Sequence, residues 1–140
     1  MGGFRLEDLS VGQSAEQAHT VTEADIAAFA AVSGDTNPLH MDEAYAATTA
    51  FKGRIAHGML GASFISAILG NDLPGPGSVY LNQSLRFRRP IRIGDVVTTR
   101  VSVAAIDAEK ARVTLETQCL VDGKAAIEGE AVVMVERRSA

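Results

Sequence analysis

From Gly58 to Gly70 the chain runs for 13 residues without a charged side chain. A bilayer span needs roughly 20 such residues, so the stretch reads as a buried helix. A helix with no polar face must be surrounded by other elements. Asn71-Asp72-Leu73-Pro74-Gly75-Pro76-Gly77 then breaks the pattern, and beyond it the apolar spacing changes from helical to alternating. Val79, Leu81, Leu85 and Phe87 fall on one face of the first run, with Tyr80, Asn82, Ser84, Arg86 and Arg88 on the other. Three more strand-like runs follow, Val96 to Ile106, Arg112 to Val121 and Lys124 to Glu136. Turn signals at Asp107 to Lys110 and at Asp122-Gly123 separate them, the second suited to a two-residue hairpin. Helices first and a meander of long antiparallel strands last give an α+β layout, a sheet wrapped over one buried helix. The 140 residues are expected to form one domain, 1–140, large enough for a core without disulfides or structural metal.

Upstream of the apolar stretch the pattern is more broken. Phe4 to Gly12 reads as a loose lead-in, and Gln17 to Val21 as a short strand. Thr22 with Asp25 three positions on resembles a capping box. The helix it opens buries Ile26, Phe29 and Ala30 and ends at Gly34. Asp42 can cap a short second helix through Thr48, with Tyr45 turned inward, and Phe51 to Ala56 is irregular. A net charge of −4 gives no reason to expect nucleic acid or an anionic membrane as a partner. The single cysteine, Cys119, excludes an intrachain disulfide and reads as a packed, inert thiol. Met1 to Gln13 lacks the basic start and apolar core of a signal peptide, so a cytoplasmic location is expected.

Between the first two helices lies Ser33-Gly34-Asp35-Thr36-Asn37-Pro38-Leu39-His40, dense in turn formers and yet rich in acid–base groups. A carboxylate and an imidazole five residues apart can face one water only across a bend, and Asn37-Pro38 supplies one. Imidazole titrates near neutrality, at roughly pH 6.5 when unperturbed, and so works as acid or base. Gly58, opening the apolar helix, offers free N–H groups at a positive dipole end and no Cβ to obstruct a carbonyl. Each residue also has a plainer role open to it. Asp35 can cap a turn, His40 can be a structural histidine, and Ser66 can bond back to the carbonyl four residues earlier. Asn37 is expected to hold the loop by bonding to the loop's backbone, and His57 to take a hydrogen-bonding structural role at the helix start. Asp35, His40 and His57 can be imagined as metal ligands, but the tight spacings of zinc sites are absent. Arg86, Arg88, Arg89 and Arg92 form either a solvated strand end or an attraction for phosphates.

The stretch Ser33 to Asp42 resembles the signature of the MaoC-like, or type 2, enoyl-CoA hydratases. The resemblance continues through Ala46 to Phe51, His57-Gly58-Met59-Leu60, Gly77 to Leu81, Gln83-Ser84-Leu85 and Gly94-Asp95. It implies the hot-dog fold, a curved antiparallel sheet of about five strands wrapped around a long central helix. Among members, a short chain with a single hot-dog most resembles the bacterial R-specific hydratases that feed polyhydroxyalkanoate synthesis. The implied reaction is reversible syn addition of water to a trans-2-enoyl thioester, giving an (R)-3-hydroxyacyl-CoA, with no metal and no redox cofactor. By position, Asp35 and His40 match the catalytic pair and Gly58 the residue whose N–H polarises the thioester carbonyl. Ser66 matches a supporting serine on the central helix. Leu69 falls where the acyl pocket is tuned, and Asn37 and Leu69 are expected on the substrate side of the site. The resemblance also implies a homodimer with strands joined across a two-fold axis, consistent with the unpaired edges that a five-stranded sheet leaves. A 3-hydroxyacyl-carrier-protein dehydratase would use the same pair in reverse. A hot-dog thioesterase would want an acidic group near the central helix, where Gly58 to Gly70 has none, and a non-catalytic thioester-binding module would not need both Asp35 and His40.

Overall fold

The computed structural model describes residues 3–138; residues 1–2 and 139–140, the ends of the expected domain, lie outside them. After a 3₁₀ turn at Leu6–Asp8 come β1 (Ser14–Thr20), α1 (Glu23–Ser33), α2 (Pro38–Met41), α3 (Glu43–Ala47) and α4 (Gly58–Asn71). The rest is sheet, β2 (Val79–Phe87), β3 (Val96–Asp107), β4 (Arg112–Val121) and β5 (Lys124–Met134). All pairings are antiparallel, in the order β1-β3-β4-β5-β2, so the α+β arrangement of five strands stands as expected. The β4–β5 hairpin turns on Asp122 and Gly123, both at positive φ, as a primed turn requires.

α4 touches all five strands. Leu60, Ile65, Ile68 and Leu69 point from it into the core, each contributing roughly 1.5–3 kcal/mol by burial. The sheet answers with alternate residues, Val97, Val101 and Val103 from β3 and Val113, Leu115 and Cys119 from β4. Cys119 is fully buried, and burial pushes its thiol up. The helix is not surrounded, however. Met59, Ser63, Ser66, Ala67 and Gly70 lie on a face left open in the single chain. Met59 apart, small side chains keep that face free of charge without packing it.

α1 begins and ends as its residues require. Thr22 and Asp25 form the reciprocal capping box, and Gly34 closes the helix in the left-handed region at φ 79°. His19 bonds to Asp25 at 2.8 Å and holds that carboxyl below its ordinary range. Ile26 and Ala30 are buried, while Phe29 is half-buried against the core.

Four further expectations need correction. The lead-in is not loose, because Leu6 and Leu9 are buried in the core and the Leu6 N–H donates to the Glu136 carbonyl at 2.9 Å. The first strand starts at Ser14, three residues earlier than its apolar content suggested, because as an edge strand its side chains are mostly exposed. Tyr45 does not point inward. It is half-exposed, and the one fully buried side chain of α3 is its neighbour Ala46. Finally, the faces of β2 are not those of uniform alternation. Its register against β5 slips between Tyr80 and Asn82. Leu81 becomes the extra residue of a bulge, and Tyr80 joins Gln83, Leu85 and Phe87 opposite the inward residues of β5.

Candidate active site

The segment between α1 and α4 is built by short side-chain-to-backbone bonds. The Asp35 N–H donates to Ser33 Oγ at 3.1 Å, and the Asn37 N–H donates to Asp35 Oδ1 at 3.2 Å. Asn37 Oδ1 in turn accepts the Leu39 N–H at 3.0 Å, capping α2, with Pro38 in the first turn. The expected bend is thus a one-turn helix, and His40 rides on it. Asn37 spends its side chain on that cap.

His40 is only 9% exposed, and its Nδ1–H donates to the Ile55 carbonyl at 2.8 Å. A carbonyl can only accept, so the neutral ring carries its proton on Nδ1 and keeps a lone pair on Nε2. His57 lies behind it, ring centroids 4.1 Å apart. The Nε2–H of His57 donates to the Asp35 carbonyl at 2.9 Å, while its buried Nδ1 has no partner among the described residues. His57 meets both site residues, Asp35 through a hydrogen bond and His40 through its face. One carboxylate oxygen of Asp35 and one ring nitrogen each of His40 and His57 lie within 4.8 Å of one another. With His57 Nε2 given to a carbonyl and Asp35 Oδ1 to the Asn37 N–H, the cluster leaves Asp35 Oδ2, His40 Nε2 and the buried His57 Nδ1 without partners among the described residues.

His57 is also the residue before the first turn of α4, and Gly58 opens it. Neither the Gly58 nor the Met59 N–H has a partner among the described residues. A Cβ at Gly58 would sit 2.7 Å from the Phe87 ring, so only glycine lets that ring and the helix start approach so closely. Asp35, His40, Gly58, Phe87 and Ile127 line one cavity of about 580 Å³. An acid–base pair, two free N–H groups at a helix start and apolar walls can bind a carbonyl compound and move protons beside it.

The MaoC like domain family matches residues 9–125. The chain belongs to the MaoC-like family. This MaoC-like chain is 59% identical over 133 residues to an (R)-specific enoyl-CoA hydratase of Rhodospirillum rubrum, covering 95% of this chain and 92% of that protein. It superposes on the (R)-hydratase from A. caviae involved in PHA biosynthesis with a TM-score of 0.89 and 50% identity, covering 92% of this chain and 98% of that one. R-hydratase PhaJ1 from Pseudomonas aeruginosa gives 0.91 at 46% identity, covering 97% and 88%. The fold of the MaoC-like chain is the hot-dog.

Not all the residues singled out in the sequence gather at this cavity. Ser66 lines a second groove of about 530 Å³ between α4 and β2, which shares Met59 with the first. Leu69 is buried in the core of the MaoC-like chain, its carbonyl accepting the Ser78 hydroxyl at 3.1 Å. The arginine cluster divides. Arg92 donates to the Phe51 carbonyl at 2.5 Å and is a structural strut, Arg88 pairs with Glu128, and Arg88 and Arg89 lie on the cavity wall. Arg54 and Ile55 escaped sequence reasoning altogether. Both act on His40 from 14 and 15 residues away, and no motif marks them.

Proposed function

We propose that this chain is an (R)-specific enoyl-CoA hydratase, a hydro-lyase that adds water reversibly to the trans-2 double bond of an acyl-CoA thioester. The observation that carries this reading is the pairing of His40 with Asp35. The Ile55 carbonyl leaves His40 a basic Nε2, a ring nitrogen of His40 lies within 4.8 Å of an Asp35 carboxylate oxygen, and both residues share a cavity with Gly58, whose N–H has no partner among the described residues. Water held between the carboxylate and Nε2 loses a proton to the pair as its oxygen bonds to C3. The electrons of the double bond pass to the thioester oxygen, where the Gly58 N–H and the start of α4 meet the developing charge. The pair then returns a proton to C2. Both additions come from one side of the substrate, which is syn hydration. Arg89, on the cavity wall, suits the phosphates of coenzyme A.

The test is hydration of crotonyl-CoA, followed by loss of the conjugated thioester absorbance with chiral analysis of the product. Conversion to (R)-3-hydroxybutyryl-CoA supports the reading. Release of free CoA would replace it with thioester hydrolysis, although α4 carries no carboxylate for that chemistry. Turnover of the carrier-protein thioester alone would place the chain among the dehydratases.

A second copy of the chain belongs on β2. This edge strand exposes Val79, Tyr80, Leu81 and Phe87 beside an open face of α4. An apolar, unpaired edge invites strand addition. The expected result is a homodimer in sedimentation analysis, converted to monomer by Leu81→Lys. A parent protein that sediments as a monomer sinks the idea.

A further inference from the structure

We propose that Arg54 is a positioning residue for His40, with Glu23 holding Arg54 to that task. The Arg54 Nε–H donates to the His40 backbone carbonyl at 2.6 Å. Its Nη1 and Nη2 donate to the two oxygens of Glu23 at 2.7 and 3.0 Å. The planar guanidinium fits that fork as a lysine ammonium cannot. The Arg54 side chain is 12% exposed, so most of it is ordered by packing. Its own N–H donates to Glu43 Oε2 at 3.3 Å, tying the same residue to α3.

The physical need lies in α2. A helix of one turn has no cooperative stability of its own, and its last carbonyls have no partner within it. His40 carries one of these carbonyls. Arg54 satisfies it, and the next residue, Ile55, accepts the ring Nδ1–H. Two consecutive residues therefore hold His40 at its main chain and at its ring. Glu23 sits in the first turn of α1, where a carboxylate is favoured, and its bond to Arg54 holds its carboxyl below the ordinary range. Without the guanidinium, the turn loses its clamp and the ring loses its register with the Ile55 carbonyl.

This inference rests on the reading of His40 as the acid–base group, so one readout is chosen that needs no turnover. Imidazole ¹⁵N NMR reports which nitrogen of His40 carries the proton, and with 3 histidines in the chain the signals are few. The parent is expected to hold the Nδ1–H form, and Arg54→Ala to give a mixture of tautomers. In the crotonyl-CoA assay, kcat of Arg54→Ala falls about 10- to 100-fold, the cost of a misplaced catalytic group, with KM little changed. Arg54→Lys stays close to Arg54→Ala. Added guanidinium restores part of the kcat of Arg54→Ala and none of that of His40→Gln. A residue of merely structural role would lower Tm but leave the kcat of folded protein, the tautomer and the guanidinium response unchanged, and that result overturns the proposal. Should Arg54→Ala fail to fold, Glu23→Gln and Arg54→Lys decide by the same readouts, and an unchanged tautomer and kcat in both is the overturning result. An active His40→Gln would instead refute the reading of the site, while the spectrum still judges the clamp.

Discussion

Asp35→Asn and His40→Gln are each expected to lower kcat for crotonyl-CoA hydration by about 10²–10⁴-fold while leaving the fold intact. The asparagine keeps an oxygen for the Asn37 N–H that Asp35 Oδ1 accepts, so the turn into α2 survives. What it loses is the charge that attracts a proton from water. The glutamine can still donate to the Ile55 carbonyl in place of Nδ1, but its amide is no base. On the proposed mechanism the two groups act on one water, so the double variant is expected to be little worse than either single one. Steady-state kinetics with Tm measured alongside separates this from unfolding. A stable variant that keeps activity within about tenfold of the parent would remove that residue from the proton path.

Among the described glycines, Gly129→Ala is expected to be the most damaging substitution. Gly129 lies opposite Leu85 where β5 pairs with β2, and a Cβ there would sit 1.8 Å from the Ser84 carbonyl oxygen. That neighbour is backbone, so no rotamer relieves the clash, and β2 itself has to move. Stability should fall by about 3 kcal/mol, at the upper end of overpacking. In a melting experiment this is a Tm lower by about 10 °C. Activity should fall further than stability, because β2 ends at Phe87, the ring against Gly58. An unchanged Tm would mean that the strands part there at little cost.

The two places substituted, the Asp35–His40 loop and Gly129, differ in how openly the sequence announces them. The Asp35 to His40 loop declares itself through turn chemistry, since Gly34, Asn37 and Pro38 each act within a few residues of themselves. The Thr22 cap, the Asp122-Gly123 turn and the apolar run of α4 are local in the same sense. What stayed hidden depends on partners far along the chain. Leu81 looks like any apolar residue of an alternating strand, and only the pairing with β5 makes it the bulge that carries Tyr80 to the inner face. The sequence reading turns Tyr45 inward, yet the spacing from the Asp42 cap puts Ala46 at the core. Arg54 reaches a backbone carbonyl, and a carbonyl has no letter in the sequence. Gly129 is a close-approach glycine that reads simply as a weak strand residue.

One arrangement at the site bears on how such a protein can change over generations. Asp35, His40, His57 and Gly58 come from a single continuous segment, folded mostly upon itself, whereas Phe87 and Ile127 of the facing wall come from β2 and β5. The reagents and the mould are thus encoded in different parts of the gene. On the proposed reading, drift in the strands can widen or narrow the chamber for other acyl chains while the segment assigned the proton transfer is kept. A lineage built this way can change what it accepts without changing the groups proposed to do the chemistry.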